Sequence, residues 1–95
     1  MRLIVSPDAR RDLKTIARYS EREWGAERRD RYIALLQERF GSLLKHPQSG
    51  APRGDLGPAY RSLTAGRHVI FYRAKGEDLH ILRVLHQRMD VKLHL

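Results

Sequence analysis

Residues 60–86, YRSLTAGRHVIFYRAKGEDLHILRVLH, decide the fold. β-Branched, aromatic and alternating residues fill Tyr60–Ala65, Arg67–Arg73 and Leu79–His86, with Ala65-Gly66 and Ala74-Lys75-Gly76-Glu77-Asp78 between them. This pattern predicts an antiparallel three-strand meander. In the last strand Leu79, Ile81, Arg83 and Leu85 share one parity, and His80, Leu82, Val84 and His86 share the other. In the middle strand Val69 and Phe71 oppose His68, Ile70 and Tyr72. Apolar groups thus fall on both faces, whereas a sheet covered by helices on one face normally alternates with polar residues outward. Either the chain's own loop and tail cover the second face, or a partner segment docks there.

Upstream of the meander the period changes to that of helices. Ala9, Leu13, Ile16, Ala17, Ser20 and Trp24 fall within an arc of roughly 100° on a helical wheel, with Arg10, Arg11, Lys14, Arg18, Glu21 and Arg22 outside it. Ser6 is placed to cap this helix, and Pro7 at its first position gives up no needed donor. Gly25 ends it. A second helix is expected over Ala26–Lys45, with Tyr32, Ile33, Leu36, Phe40, Leu43 and Leu44 as its apolar stripe. Trp24, Tyr32 and Phe40 read as core anchors, and the short connection at Gly25 makes the two helices an antiparallel hairpin. A first strand is expected at Arg2–Val5. His46 to Pro58, rich in Pro and Gly, reads as a turn-rich surface loop, and Arg88–Leu95 as a short tail or helical turn. The order β-α-α-β-β-β describes an α+β domain spanning residues 1–95: a helix hairpin packed on one face of a mainly antiparallel four-stranded sheet.

Composition narrows the function. A chain of 95 residues with 41% hydrophobic and 32% charged residues fits one small folded domain and excludes a disordered or low-complexity class. The absence of cysteine removes disulfide scaffolds, thiolate zinc sites and cysteine nucleophiles, and suits a reducing compartment. The N-terminal apolar run Leu3-Ile4-Val5 is far shorter than a signal core or bilayer span, so the cytoplasm is the expected location. A net charge of +8 predicts an acidic partner. Residues 59–95 carry seven basic against three acidic side chains, which concentrates half of that excess beside the meander.

Specific chemistry is sparse. The chain lacks a phosphate-binding Gly-rich loop with Lys, a His-Glu-x-x-His pair, a nucleophile elbow and a dinucleotide fingerprint. His80 and His86 lie roughly 20 Å apart along a strand, too far to ligate one metal ion, and no metal or other cofactor is expected. A helix-turn-helix reading of the hairpin fails for want of Asn/Gln base readers on helix two. What remains is a guanidinium-rich surface. Arg61, Arg83 and Arg88 with His86 are candidates for gripping phosphate or carboxylate, and His86 is the one acid–base candidate among them.

These residues also carry a resemblance. Leu3-Ile4-Val5-Ser6-Pro7-Asp8-Ala9 with Asp12-Leu13, Ile16, Tyr19 and Trp24-Gly25, then Pro47-Gln48-Ser49-Gly50-Ala51-Pro52-Arg53, Leu56-Gly57 and Tyr60-Arg61-Ser62-Leu63 follow one another in order. With His68-Val69-Ile70-Phe71-Tyr72-Arg73 and Ile81-Leu82-Arg83-Val84-Leu85-His86, the pattern resembles the ParE toxins of the RelE/ParE superfamily across nearly the whole chain. The resemblance implies the toxin of a type II toxin–antitoxin system that inhibits DNA gyrase by binding rather than catalysis. It further implies a ParD-like antitoxin lying over the second sheet face, at His68, Ile70, Tyr72, Leu82 and Val84, and a target surface at Arg61, Arg83, His86 and Arg88. RelE-type relatives instead cut messenger RNA on the ribosome, and as a ribonuclease the same Arg61, Arg83, His86 and Arg88 would be the catalytic set. Against that alternative, the loop after Gly50 offers only Arg53 rather than a lysine cluster, and the tail Val91–Leu95 has no tyrosine.

Overall fold

The computed structural model describes all 95 residues. Strand β1 (Arg2–Val5) leads into helix α1 (Pro7–Trp24) and helix α2 (Ala26–Lys45), then strands β2 (Ala51–Pro52), β3 (Tyr60–Ala65), β4 (His68–Lys75) and β5 (Asp78–His86), and a 3-10 turn at Val91–Leu93. The Ser6 hydroxyl accepts the Ala9 N–H at 3.0 Å and donates to the Leu82 carbonyl at 2.8 Å, so one side chain both starts α1 and ties it to β5. Gly25, at φ +90°, makes the whole connection between the helices.

The sheet order is β1-β5-β4-β3-β2, with β1 parallel to β5 and the other pairs antiparallel. It therefore has five strands, not the four expected. The extra one is short: Ala51 and Pro52 pair with Ser62 and Arg61 inside the segment read as loop. A proline there is compatible because β2 is an edge and Pro52 needs no second ladder donor. The β3–β4 turn is Gly66-Arg67, because Ala65 pairs directly with His68.

The helix pair covers one sheet face. Leu36, Leu43, Ile70, Leu79 and Ile81 are fully enclosed there with Ala9, Phe40, Tyr72 and Val84, and each large aliphatic group contributes about 1.5–3 kcal/mol. A register shift separates Phe71↔Arg83 from Tyr72↔Ile81, so Leu82 is an extra residue in β5. This bulge switches the parity of the strand: Ile81 and Val84, three apart, both point into the core. That is the reason simple alternation in β5 showed apolar groups on both sides.

The surface placement of three antitoxin candidates is corrected accordingly. Ile70 (0% exposed), Tyr72 (0%) and Val84 (2%) lie in the core beneath the helices, since the face that carries them is the one the hairpin covers. Leu82 and His68 remain half-buried. The opposite face holds a smaller cluster of Phe71, Leu85 and Val91 with Leu56 and Val69 packed against it. Leu56 from the long loop and Val91 from the tail thus cover part of the second face from within the chain. Trp24 also departs from expectation. It is 43% exposed rather than a core anchor, and lines an open groove at the end of α1.

Candidate functional site

That groove, about 890 Å³ in volume, runs between the helix hairpin and the ends of β4 and β5. Tyr19 and Trp24 form its aromatic wall, edge to face with ring centroids 5.8 Å apart, and Leu35 and Met89 add apolar surface. The Arg67 guanidinium lies 5.6 Å from the Trp24 ring centre, a cation–π contact. Arg28, Arg31 and Arg67 line the groove with His86 and His94, against a single acid, Asp12. Asp12 is already committed. Its carboxylate takes both forks of Arg83, from Nε and Nη2 at 2.8 Å each, and the Val84 N–H at 2.9 Å. The groove therefore presents an apolar, aromatic floor under a net positive field.

Its inner end is a small hydrogen-bonded cluster. The Tyr32 hydroxyl accepts the Arg67 N–H at 3.0 Å, shares a hydrogen bond with His68 Nδ1 at 2.6 Å and lies 3.4 Å from the Ala65 carbonyl. Gly66, at φ +59°, permits this contact, because a Cβ there would stand 2.7 Å from the Tyr32 ring. Cross-strand from His68, His86 meets it edge to face at 5.4 Å. Burial, reinforced by the facing His86, lowers the His68 pKa from 6.5 to about 4, with Asp12 opposing. His68 is thus a neutral structural imidazole at neutral pH.

The four candidates for gripping or cutting a target do not form one site. Arg61 belongs to a separate recess with Met1, Lys45 and Gln48, where its Nη1 donates to the Gly50 carbonyl at 2.7 Å and the Gln48 carbonyl at 3.2 Å. Beside it, the Tyr72 hydroxyl donates to the Pro47 carbonyl and accepts the Gly50 N–H. Arg61 and Tyr72 together clamp the loop after α2. Arg83 holds Asp12 and, through Nη1, the His94 carbonyl at 2.7 Å, which fastens the tail. His86 lies in the groove, with its Nδ1 accepting the Arg88 N–H at 3.2 Å. The Arg88 side chain alone is exposed and without an ion pair. Sequence reading missed Asp12, Tyr19 and Tyr32 as groove residues; Tyr19 and Trp24 at i, i+5 on the exposed end of α1 were the available signal.

A protein-family model described as "ParE toxin of type II toxin-antitoxin system, parDE" matches residues 3–91. The chain belongs to the ParE toxin family. It is 41% identical over 91 residues to Toxin ParE1 of Caulobacter vibrioides, covering 96% of this chain and 94% of that protein. Toxin ParE1 of Mycobacterium tuberculosis is 37% identical over 95 residues, covering 99% and 97% respectively. Among solved structures, one titled "Chromosomal ParDE TA system from P. aeruginosa" superposes with a TM-score of 0.79 at 26% identity, over 90% of this chain and 95% of that one. The helix hairpin on a mainly antiparallel sheet is therefore the ParE toxin fold, and the chain is the toxin type of a type II toxin–antitoxin system. No helix of this ParE-family chain is long and apolar enough to cross a membrane.

Proposed function

We propose that this ParE-family toxin acts on DNA gyrase by binding rather than by catalysis, and that a ParD-like antitoxin neutralises it by occupying the groove between hairpin and sheet. The observation that carries the binding reading is the commitment of the would-be catalytic arginines. Arg83 is held on both forks by Asp12, Arg61 is spent on loop carbonyls, and the two line different recesses. A phosphodiester cannot be cradled between groups so separated. The groove supports the antitoxin reading because its floor is aromatic and its rim basic, which suits an acidic segment with apolar anchors. This moves the antitoxin site from the open sheet face to the opposite side of the sheet.

Purified toxin added to gyrase and plasmid is expected to abolish supercoiling and accumulate cleaved complexes. Unaltered supercoiling at micromolar toxin, together with codon-positioned cuts in translated messages, would replace this reading with the ribonuclease one. For the antitoxin, Trp24→Ala is expected to weaken the complex with the protein encoded beside the toxin by about tenfold or more, while Arg18→Ala leaves it unchanged. Trp24 is the chain's single tryptophan, so its fluorescence reports occupancy directly. An emission that stays at its free-protein wavelength on complex formation would show that the antitoxin binds elsewhere.

A further inference from the structure

The open face of the sheet carries a charge that nothing in the chain answers. Arg73 on β4 has its Nε enclosed without a hydrogen-bond partner, and none of its nitrogens contacts a carboxylate. Unpaired buried donors are costly in native proteins, and each calls for a specific account. The group is nevertheless well ordered by its neighbours. Tyr60 pairs with Arg73 across β3 and β4, and the guanidinium carbon lies 5.2 Å from the Tyr60 ring centre. The other edge of that ring is backed by Gly57, where a Cβ would stand 2.7 Å away. Tyr60 is thereby confined by a bare backbone at Gly57 and lies in cation–π range of Arg73.

Around this fork the field is positive. His80 is the cross-strand neighbour on β5, and Lys75 follows two residues on along the same face, about 7 Å away. Lys75 is exposed and unpaired; Asp78 is taken by Arg2 at 3.0 Å and Asp55 by Arg53 at 2.9 Å, which leaves Glu77 in the β4–β5 turn as the one free acid beside three basic groups. We propose that Arg73, ordered by Tyr60 and flanked by Lys75 and His80, is a binding site for backbone phosphates of a nucleic acid. With Nε enclosed, the two terminal nitrogens of Arg73 are the pair that can meet two oxygens of one phosphate, and the lysine follows at the interval of an extended chain. Phosphate backbone suits this patch better than an acidic peptide. Peptide binding relies on apolar anchors, and the chain's exposed aromatic anchors lie in the groove, while Phe71 and Leu85 on this face are already covered. The site is independent of which enzyme the toxin attacks.

The test uses the full-length chain and labelled short DNA, single-stranded and duplex in separate arms, with binding read by anisotropy between about 50 and 200 mM salt. Arg73→Met keeps the aliphatic stem and is expected to weaken binding by about tenfold and to reduce the salt slope by about 1. Arg18→Met, the same charge loss on the outer face of α1, is expected to leave most of the affinity. The arm that binds more tightly names the source of the phosphates. Equal losses from both substitutions would reduce the effect to net charge and overturn the proposal, as would binding of polyglutamate as tight as that of DNA. The unsubstituted protein supplies a second readout: the Arg73 Nε–H resonance is expected to shift as DNA is added, and a stationary signal at saturation refutes the site whatever the variant does.

Discussion

Asp12 accepts three hydrogen bonds, two from Arg83 and one from the Val84 main chain, with both side chains largely enclosed. Removing it strands a guanidinium and a strand N–H at once. Asp12→Ala is expected to destabilise the fold by about 2–4 kcal/mol, read as a lower urea midpoint at unchanged slope. An unchanged midpoint would mean that the ion pair is ornamental. Arg83→Ala should lower toxicity through the same loss of stability, whereas Arg88→Ala, at an exposed and unpaired position, is expected to lower toxicity without moving the melting temperature. His68 provides a pH-dependent signature. Its folded pKa lies below the unfolded 6.5, so between about 4 and 6.5 the unfolded chain binds the extra proton. The stability from its neutral form is complete above pH 6.5 and is lost as the pH falls toward 4. Ring resonances of His68 are expected to titrate near pH 4, and a midpoint near 6.5 would refute the burial argument. None of this was readable from residue types alone. Asp12 looks like an ordinary helix-surface residue and Tyr32 like a plain core anchor until β5 and the β3–β4 turn are brought beside them.

At the level of elements, the legible features were those specified by local chemistry. Ser6-Pro7 marks the start of α1, Gly25 the joint, and the stripe from Tyr32 to Leu44 the core side of α2, because caps, left-handed turns and helical periodicity are all local. The bulge at Leu82 was not legible, since an extra residue in one strand is visible only against the register of its partner. That offset put Val84 out of step with Leu79 and Ile81, whereas Ile70 and Tyr72 were misplaced because alternation along β4 does not say which of its two apolar faces the hairpin covers. Strand β2 escaped for a related reason. Two residues within a Pro/Gly-rich segment have no period, and their pairing depends on the clamp that Arg61 and Tyr72 place on the loop. Tyr72→Phe, which removes the hydroxyl serving Pro47 and Gly50, is expected to cost about 1–3 kcal/mol and to expose residues 47–58 to limited proteolysis. Wild-type resistance in that variant would show that Arg61 alone holds the loop.

Across the whole molecule, the helix hairpin divides the chain's charge between two surfaces. One is the groove with its aromatic floor, the other the open face around Arg73. The ParE family and α+β class were legible from the order of motifs, because that order survives errors in any single strand. The division of charge was not, since it depends on which arginines find acids inside the fold. The connectivity has a consequence for biosynthesis. Strand β1 pairs with β5, whose partner residues begin 76 positions later, and the core is missing Leu79, Ile81 and Val84 until β5 arrives. The sheet therefore cannot close during synthesis until β5 has left the ribosome, and a chain cut before residue 79 lacks both the partner of β1 and three core residues.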